Sequence, residues 1–165
     1  MKHILPILTI TTLAAAASAQ TAASSGLSYN RVGLSYDTQT TTGYSLEASA
    51  VVGGNYLIEA STTIGGNAGN GADSVSVGYI FKNVAAGIDA TLSIGSNESY
   101  GLNLRKDLGS NFEGAVSYSR EQGNNVWGVE VQYNLNKQFG LALGYADSNA
   151  VGVSSQTTVS VRYNF

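Results

Sequence analysis

Apolar and polar side chains alternate along this chain from about residue 26 to its last residue. The alternation comes in runs of roughly nine to eleven residues, and short breaks rich in Gly, Asn, Asp and Ser separate the runs. A period of two places successive side chains on opposite faces of a β-strand. Runs of about ten residues also have the length that a tilted strand needs to cross a bilayer. The pattern therefore predicts membrane-spanning strands.

The runs predict an all-β fold, a transmembrane antiparallel up-and-down β-barrel. Its ten strands are expected at residues 26–36, 43–52, 56–64, 74–81, 84–94, 99–106, 112–120, 126–135, 139–147 and 153–165. An even number suits a closed single-chain barrel, and eight strands are the alternative if one hairpin does not insert. Tight turns are expected at 53–55, 82–83, 107–110 and 136–138, opposite longer loops at 37–42, 65–73, 95–98, 121–125 and 148–152.

The first run contains a break in parity. Leu27 and Tyr29 share one parity, whereas Val32 and Leu34 take the other. A β-bulge at Asn30–Arg31 would reconcile the two, because a bulge inserts one extra residue into a strand. The alternative is a strand that begins near Arg31.

Aromatic residues of the apolar parity fall into two groups, one beside the predicted longer loops and one beside the predicted tight turns. The first group is Tyr36, Tyr44, Tyr100, Tyr118, Trp127 and Tyr145, and the second is Tyr56, Phe81, Phe112, Tyr133, Phe139 and Tyr163. Aliphatic residues occupy the same face between them. Two belts of aromatic residues, one on each side of an aliphatic band, predict the girdles of a membrane barrel, since Tyr and Trp prefer the headgroup level.

The opposite parity is polar and is expected to line the lumen. Pairing the strands through their turns places Asp89 opposite Arg105, and Glu113 diagonal to the same arginine. One guanidinium could then reach both carboxylates, which predicts an Asp89, Arg105, Glu113 cluster. The other charges expected in the lumen are Glu47, Glu59, Glu130 and Arg162.

The first nineteen residues have the features of a cleaved signal peptide. Lys2 precedes an apolar stretch, and Ala17-Ser18-Ala19 has the small-x-small form of a cleavage site. The predicted organisation is a signal peptide at 1–19 followed by one barrel domain at 20–165. This division predicts export from the cytoplasm.

Composition excludes several kinds of chemistry. The chain has no cysteine, and its one histidine, His3, belongs to the predicted signal peptide. Ser-His-acid hydrolysis, cysteine nucleophiles and zinc sites built on His or Cys are therefore not expected, and we predict no enzymatic activity, metal or cofactor. Acidic residues outnumber basic ones, 11 to 8, and the basic residues are scattered, which argues against nucleic acid as a partner.

Taken together, the predicted signal peptide, the ten runs and the ending Val159-x-Val161-x-Tyr163-x-Phe165 resemble the small outer-membrane β-barrel proteins of Gram-negative bacteria. The resemblance implies a cell outer-membrane location, with outer-membrane lipid and lipopolysaccharide around the barrel. It also implies that Val161, Tyr163 and Phe165 form the signal read by the barrel-assembly machinery. Activities differ within this group, so the resemblance implies no reaction.

Two functions fit these expectations. The first is a monomeric, narrow, porin-like channel for ions or small solutes, in which rearrangement of the lumen ion pairs acts as a gate. The second is a non-conducting structural or surface-interaction barrel, in which the same pairs only fill the lumen. A secreted lipocalin-like binder is a third possibility, and it would require the apolar face to point inward.

Overall fold

The structure, a computed structural model, describes residues 26–38, 43–64, 73–151 and 153–165. Its strands are β1 (Arg31–Asp37), β2 (Tyr44–Val52), β3 (Tyr56–Ile64), β4 (Ser74–Ala85), β5 (Ile88–Gly95), β6 (Ser99–Gly109), β7 (Phe112–Glu121), β8 (Asn124–Asn134), β9 (Phe139–Ser148) and β10 (Gln156–Asn164). Each strand pairs antiparallel with the next, and β1 pairs with β10. The predicted ten-stranded up-and-down barrel is confirmed, and the eight-strand alternative is wrong.

Some predictions fall on residues that are not described. The predicted signal peptide at 1–19 lies outside the described residues, as do parts of the predicted loops at 37–42, 65–73 and 148–152. In the described part of the chain, no helix is long and apolar enough to span a bilayer.

The outer face of the barrel carries the large apolar side chains. Leu34, Val77, Val129, Leu143 and Val161 are each between 47 and 58% exposed on it. So many exposed apolar residues would be unfavourable against water, but they suit a surface surrounded by lipid. The lipocalin-like alternative is wrong, because it required these side chains to fill the interior.

The segment before β1 corrects the predicted bulge. Strand β1 begins at Arg31, and residues 26–30 leave the barrel wall and fold into the lumen. Leu27 and Tyr29 are only 2 and 4% exposed, and they pack in one cluster with Leu57 and Ile80. The parity break marks the point where the chain turns from the lumen into the wall. We call residues 26–30 the plug segment and this end of the barrel the terminus end.

The connection between β4 and β5 also differs from the prediction. A tight turn at 82–83 was expected, but β4 continues to Ala85 and the turn lies at Ala86–Gly87, both with positive φ. Pairing shifts register between Phe81 and Ala85, and Asn83 lies there with a φ of 52°. Asparagine tolerates this left-handed conformation, so here it forms a bulge instead of a turn.

Two connections at the opposite end, the loop end, are shorter than predicted. Residues 96–98 and Gln122–Gly123 make tight turns, and β7 and β8 extend to Glu121 and Asn124. Gln122 and Gly123 both have positive φ, which is the conformation of a two-residue type I′ hairpin turn. The asymmetry between short turns and long loops is therefore weaker than the sequence indicated.

Candidate functional site in the barrel lumen

Arg105 and Glu113 form a buried ion pair in the lumen. Strand pairing sets Arg105 of β6 opposite Ala115 of β7, so Glu113 is its diagonal neighbour. The Nη2 of Arg105 donates to Oε2 of Glu113 over 2.7 Å, and their side chains are 7 and 8% exposed. A charge-assisted bond of this length satisfies both groups away from water.

Asp89, the third residue of the expected cluster, lies directly opposite Arg105 in the pairing of β5 and β6. Its carboxylate, however, accepts hydrogen bonds from the Tyr29 hydroxyl over 2.9 Å and from the backbone N–H of Asn83 over 2.8 Å. Among the described residues, the ion pair of Arg105 is made with Glu113. The three residues are therefore close together, but one guanidinium does not join both carboxylates.

Tyr29 of the plug segment takes the place expected for the direct Asp89–Arg105 contact. The guanidinium carbon of Arg105 lies 4.6 Å from the centre of the Tyr29 ring, within range of a cation–π interaction. Nη1 of Arg105 also donates to the carbonyl oxygen of Ser28 over 2.9 Å. Burial raises the pKa of Tyr29 above the usual range of a tyrosine, so the phenol keeps its proton and donates to Asp89. Arg105 and Asp89 thus hold the plug segment from two sides.

Hydrogen bonds continue from Glu113 around the lumen wall. The Nδ2 of Asn134 donates to Glu113 over 2.8 Å, and Nε2 of Gln132 donates to Asn134 over 2.7 Å. Nη1 of Arg162 donates to the Oε1 of Gln132 over 2.9 Å. The chain of contacts therefore links Arg105 to Arg162, which the sequence had placed in separate groups.

Arg162 binds two of the predicted lumen carboxylates. Its Nη2 donates to Glu130 over 2.6 Å, and its Nη1 donates to the other oxygen of the same carboxylate, a bidentate contact. The Oε2 of Glu47 lies 3.9 Å from the same Nη2. Gly33 makes room for this side chain, because a Cβ there would lie 3.3 Å from Cγ of Arg162.

Glu59 and Arg31 face the lumen without such partners. The Oε2 of Glu59 accepts a hydrogen bond from the Ser76 hydroxyl over 3.1 Å, and it forms no ion pair with any described residue. Arg31 was not among the predicted lumen charges. Its guanidinium makes neither a hydrogen bond nor an ion pair within the described part of the chain. Arg31 and Glu59 are therefore lumen charges without an ion pair among the described residues, and both line the lumen cavities.

In the part of the chain that the structure describes, two cavities lie in the lumen beyond the plug segment. One has a volume of about 250 Å³ and is lined by Arg31, Arg162, Glu47, Glu59 and several serines. The other has about 160 Å³ and is lined by Arg31, Arg105, Asn103, Ser117 and Glu130. Larger spaces open at the two ends of the barrel, about 420 Å³ at the loop end and about 920 Å³ at the terminus end. The lumen is thus a polar, partly filled interior with Arg31 between its two cavities.

The predicted girdle residues all point outward. Each of these residues is between 37 and 53% exposed. They are Tyr36, Tyr44, Tyr100, Tyr118, Trp127 and Tyr145 near the loop end and Tyr56, Phe81, Phe112, Tyr133, Phe139 and Tyr163 near the terminus end. Several rings pack across strands, such as Phe112 and Tyr133 with centroids 5.0 Å apart. Tyr79, which the sequence reasoning missed, lies between Tyr56 and Phe81 and contacts both rings. Its outward parity along β4 was the available signal.

The last strand ends on the same outer face. Val161 and Tyr163 are 51 and 39% exposed there, and the ring of Phe165 stacks on Tyr163 at 6.4 Å. The backbone N–H of Phe165 donates to the carbonyl of Asn30, which ties the final residue to the plug segment. In the described residues, no group of three or more His, Cys, Asp or Glu is placed to hold a metal ion.

No protein-family model and no curated protein sequence matches the chain. Its fold is similar to that of the solved KdgM porin, with a TM-score of 0.51 and 12% identity over 82% of this chain and 99% of that one. The chain therefore has a closed β-barrel fold similar to that of this porin. The same values hold for KdgM porin in complex with disordered oligogalacturonate. The outer membrane protein Omp33 of Acinetobacter baumannii gives a TM-score of 0.42 and 16% identity over 82% of this chain and 71% of that one.

Proposed function

We propose that this protein is a monomeric outer-membrane channel for ions or small polar solutes, and that it is not an enzyme. The observation that carries the proposal is a closed barrel whose outer face is apolar and whose polar interior contains cavities of about 250 and 160 Å³. Water-filled space lined by charged side chains is what a selective pore requires. The porin-like fold supports the same function.

The outer surface supports the proposed outer-membrane location. Its aliphatic side chains lie between two rings of exposed aromatic residues, and that arrangement matches a bilayer with its two headgroup levels. Lipid and lipopolysaccharide are then the surroundings of the barrel. We assign Val161, Tyr163 and Phe165 as the signal that the barrel-assembly machinery reads, because Val161 and Tyr163 lie at the end of the closing strand β10 and Phe165 directly follows it.

The plug segment is the proposed gate of this channel. It lies between the cavities and the opening at the terminus end, and Arg105 holds it through the Ser28 carbonyl and the Tyr29 ring. Polar and charged contacts of this kind can exchange for water when the segment moves. Opening therefore requires displacement of residues 26–30, with the barrel wall unchanged.

Planar-bilayer recording of the wild type, Arg105→Ala and Tyr29→Ala tests the channel and its gate. Both variants weaken the hold on the plug segment, so we expect open events more often or of higher conductance than in the wild type. Tyr44→Ala is the matched control for Tyr29→Ala, since it removes the same side chain from the outer face, where Tyr44 is 52% exposed. The control should conduct like the wild type.

The second candidate function is a non-conducting structural barrel. It is favoured by the apolar cluster of Leu27, Tyr29, Leu57 and Ile80, in which Ile80 is fully buried and which fills part of the lumen. If the wild type and both plug variants, all with the heat-modifiable migration of folded barrels, fail to conduct, the channel proposal is overturned in favour of this one.

A further inference from the structure

The three inward-facing arginines of the lumen are used in different ways. Arg105 is paired with Glu113, and Arg162 is paired with Glu130 and lies near Glu47. The Arg31 guanidinium has neither a hydrogen bond nor an ion pair among the described residues, although it lines both internal cavities. Leaving a charge in such a site is costly unless water or a ligand solvates it.

Glu59 presents the opposite charge to the larger of these cavities. Its carboxylate is half-buried, accepts a hydrogen bond from Ser76, and has no cation partner in the described part of the chain. The cavity of about 250 Å³ therefore contains one unpaired cation and one unpaired anion on its wall.

Strand pairing fixes the spacing of the two charges. Arg31 of β1 is opposite Ser49 of β2, and Ser49 is opposite Glu59 of β3, so the two residues lie two strands apart in one row. Neighbouring strands are about 4.8 Å apart, which separates their backbones by roughly 10 Å. The next row gives a comparison at the same spacing: Gly33 lies between Arg162 and Glu47, and their charged atoms approach to 3.9 Å. The Arg31 and Glu59 side chains are long enough to approach each other, yet they form no ion pair.

We propose that this cavity binds a small zwitterion, a solute such as a free α-amino acid that carries a carboxylate and an ammonium group a few ångströms apart. Arg31 binds the carboxylate, since its planar guanidinium matches a carboxylate in two parallel hydrogen bonds. Glu59 binds the ammonium group. The proposal names the solute class of the channel proposed above and in that sense rests on it, although binding itself requires no conduction.

Cavity size and charge balance favour a zwitterion over a simple anion or cation. A volume of about 250 Å³ is below the roughly 300–1,000 Å³ of drug-sized sites and far above what a single water needs. An anion bound at Arg31 would leave the negative charge of Glu59 without a partner in the same cavity. A cation bound at Glu59 would leave the positive charge of Arg31 without one. A zwitterion pairs both charges, and Ser61 and Ser74 on the cavity wall, whose hydroxyls hydrogen-bond to each other, keep one O–H donor between them for its remaining polar atoms.

Isothermal titration calorimetry of the detergent-solubilised, folded protein tests this binding without any need for conductance. The probes are L-alanine, acetate and ethylamine, where acetate carries only the negative charge and ethylamine only the positive one. We expect L-alanine to bind at least tenfold more tightly than either single-charge probe. Arg31→Gln and Glu59→Gln should each weaken L-alanine binding at least tenfold, while the matched exposed variants Arg120→Gln and Glu98→Gln should not.

Two results would overturn the zwitterion site. One is the absence of detectable L-alanine binding to the wild type, and the other is acetate or ethylamine binding as tightly as L-alanine. Both are read on the unmodified protein, so they do not depend on whether a variant folds. L-Alanine binding by a barrel that never conducts would support the zwitterion site and count against the channel. Conductance without L-alanine binding would support the channel and overturn the zwitterion site.

Discussion

Two neighbouring groups of charged side chains in the lumen differ in whether their charges are paired. The plug network consists of Arg105, Glu113 and Asp89 together with the plug segment, and the cavity wall carries Arg31 and Glu59. In the plug network, Arg105, Glu113 and Asp89 are each at most 6% exposed when the whole residue is counted, and every one has a defined partner. On the cavity wall, Arg31 and Glu59 are less buried and unpaired with each other. The side-chain types are the same, so the difference lies in what surrounds them.

The contrast indicates that the two groups of charged residues have different functions in the lumen. Buried charges that satisfy one another hold the plug segment in one position, because breaking any contact leaves a costly unpaired group. Charges left open toward a cavity can be satisfied only by water or solute. We therefore infer that the first group determines closure and stability, and the second determines what the lumen accepts.

The largest effect is expected from Glu113→Ala in the plug network. The substitution leaves the Arg105 guanidinium buried beside Tyr29 without its ion-pair partner, a change that typically costs about 3–5 kcal/mol. Urea unfolding of the protein in phospholipid vesicles, followed by fluorescence of the single tryptophan, Trp127, measures this loss.

Glu121→Ala is the matched control for that measurement. Glu121 is exposed at the end of β7, so its removal should leave the unfolding free energy nearly unchanged. Equal losses in the two variants would mean that the buried pair contributes nothing particular to the network.

A smaller effect is expected from Tyr29→Phe. The change keeps the ring against Arg105 but removes the hydroxyl that donates to Asp89, leaving a buried carboxylate with one donor fewer. The expected loss of unfolding free energy is about 1–3 kcal/mol in the same vesicle assay. Tyr44→Phe, on the outer face, should show no comparable loss. An unchanged stability of Tyr29→Phe would mean that the hydrogen bond to Asp89 does not stabilise the plug segment.

The barrel itself could be predicted because its strands and turns are determined by residues close together in the sequence. Alternation with period two records which side of the wall each residue faces, and the turns set which residues are opposite. Asp89 opposite Arg105 and Glu113 diagonal to it followed from counting along two hairpins. Strand position alone was enough for these placements.

What the sequence could not predict depends on contacts between distant parts of the chain. Tyr29 reaches Asp89 across 60 residues of sequence, so no count along a hairpin could place it between Asp89 and Arg105. The parity break at Leu27 and Tyr29 was visible in the sequence, but a bulge was the preferred explanation, and β1 in fact begins at Arg31. Likewise, Asn83 suits both a turn and a bulge, and only the partner strand distinguishes them.

The smallest effect on stability is expected from Arg31→Gln, and it is the sharpest test of the contrast. Arg162 and Arg105 repel the Arg31 charge while Glu130 and Glu47 attract it, and no ion pair with a described residue is lost when the charge is removed. We expect a change of no more than about 1 kcal/mol, of either sign, in the vesicle unfolding assay. The exposed Arg120→Gln provides the reference for the same substitution. A loss as large as that of Glu113→Ala would show that Arg31 is held by a partner in the membrane, because an unpaired charge has no such contact to lose. The cavity wall would then be a second structural network, and its charges would not be free to receive a solute.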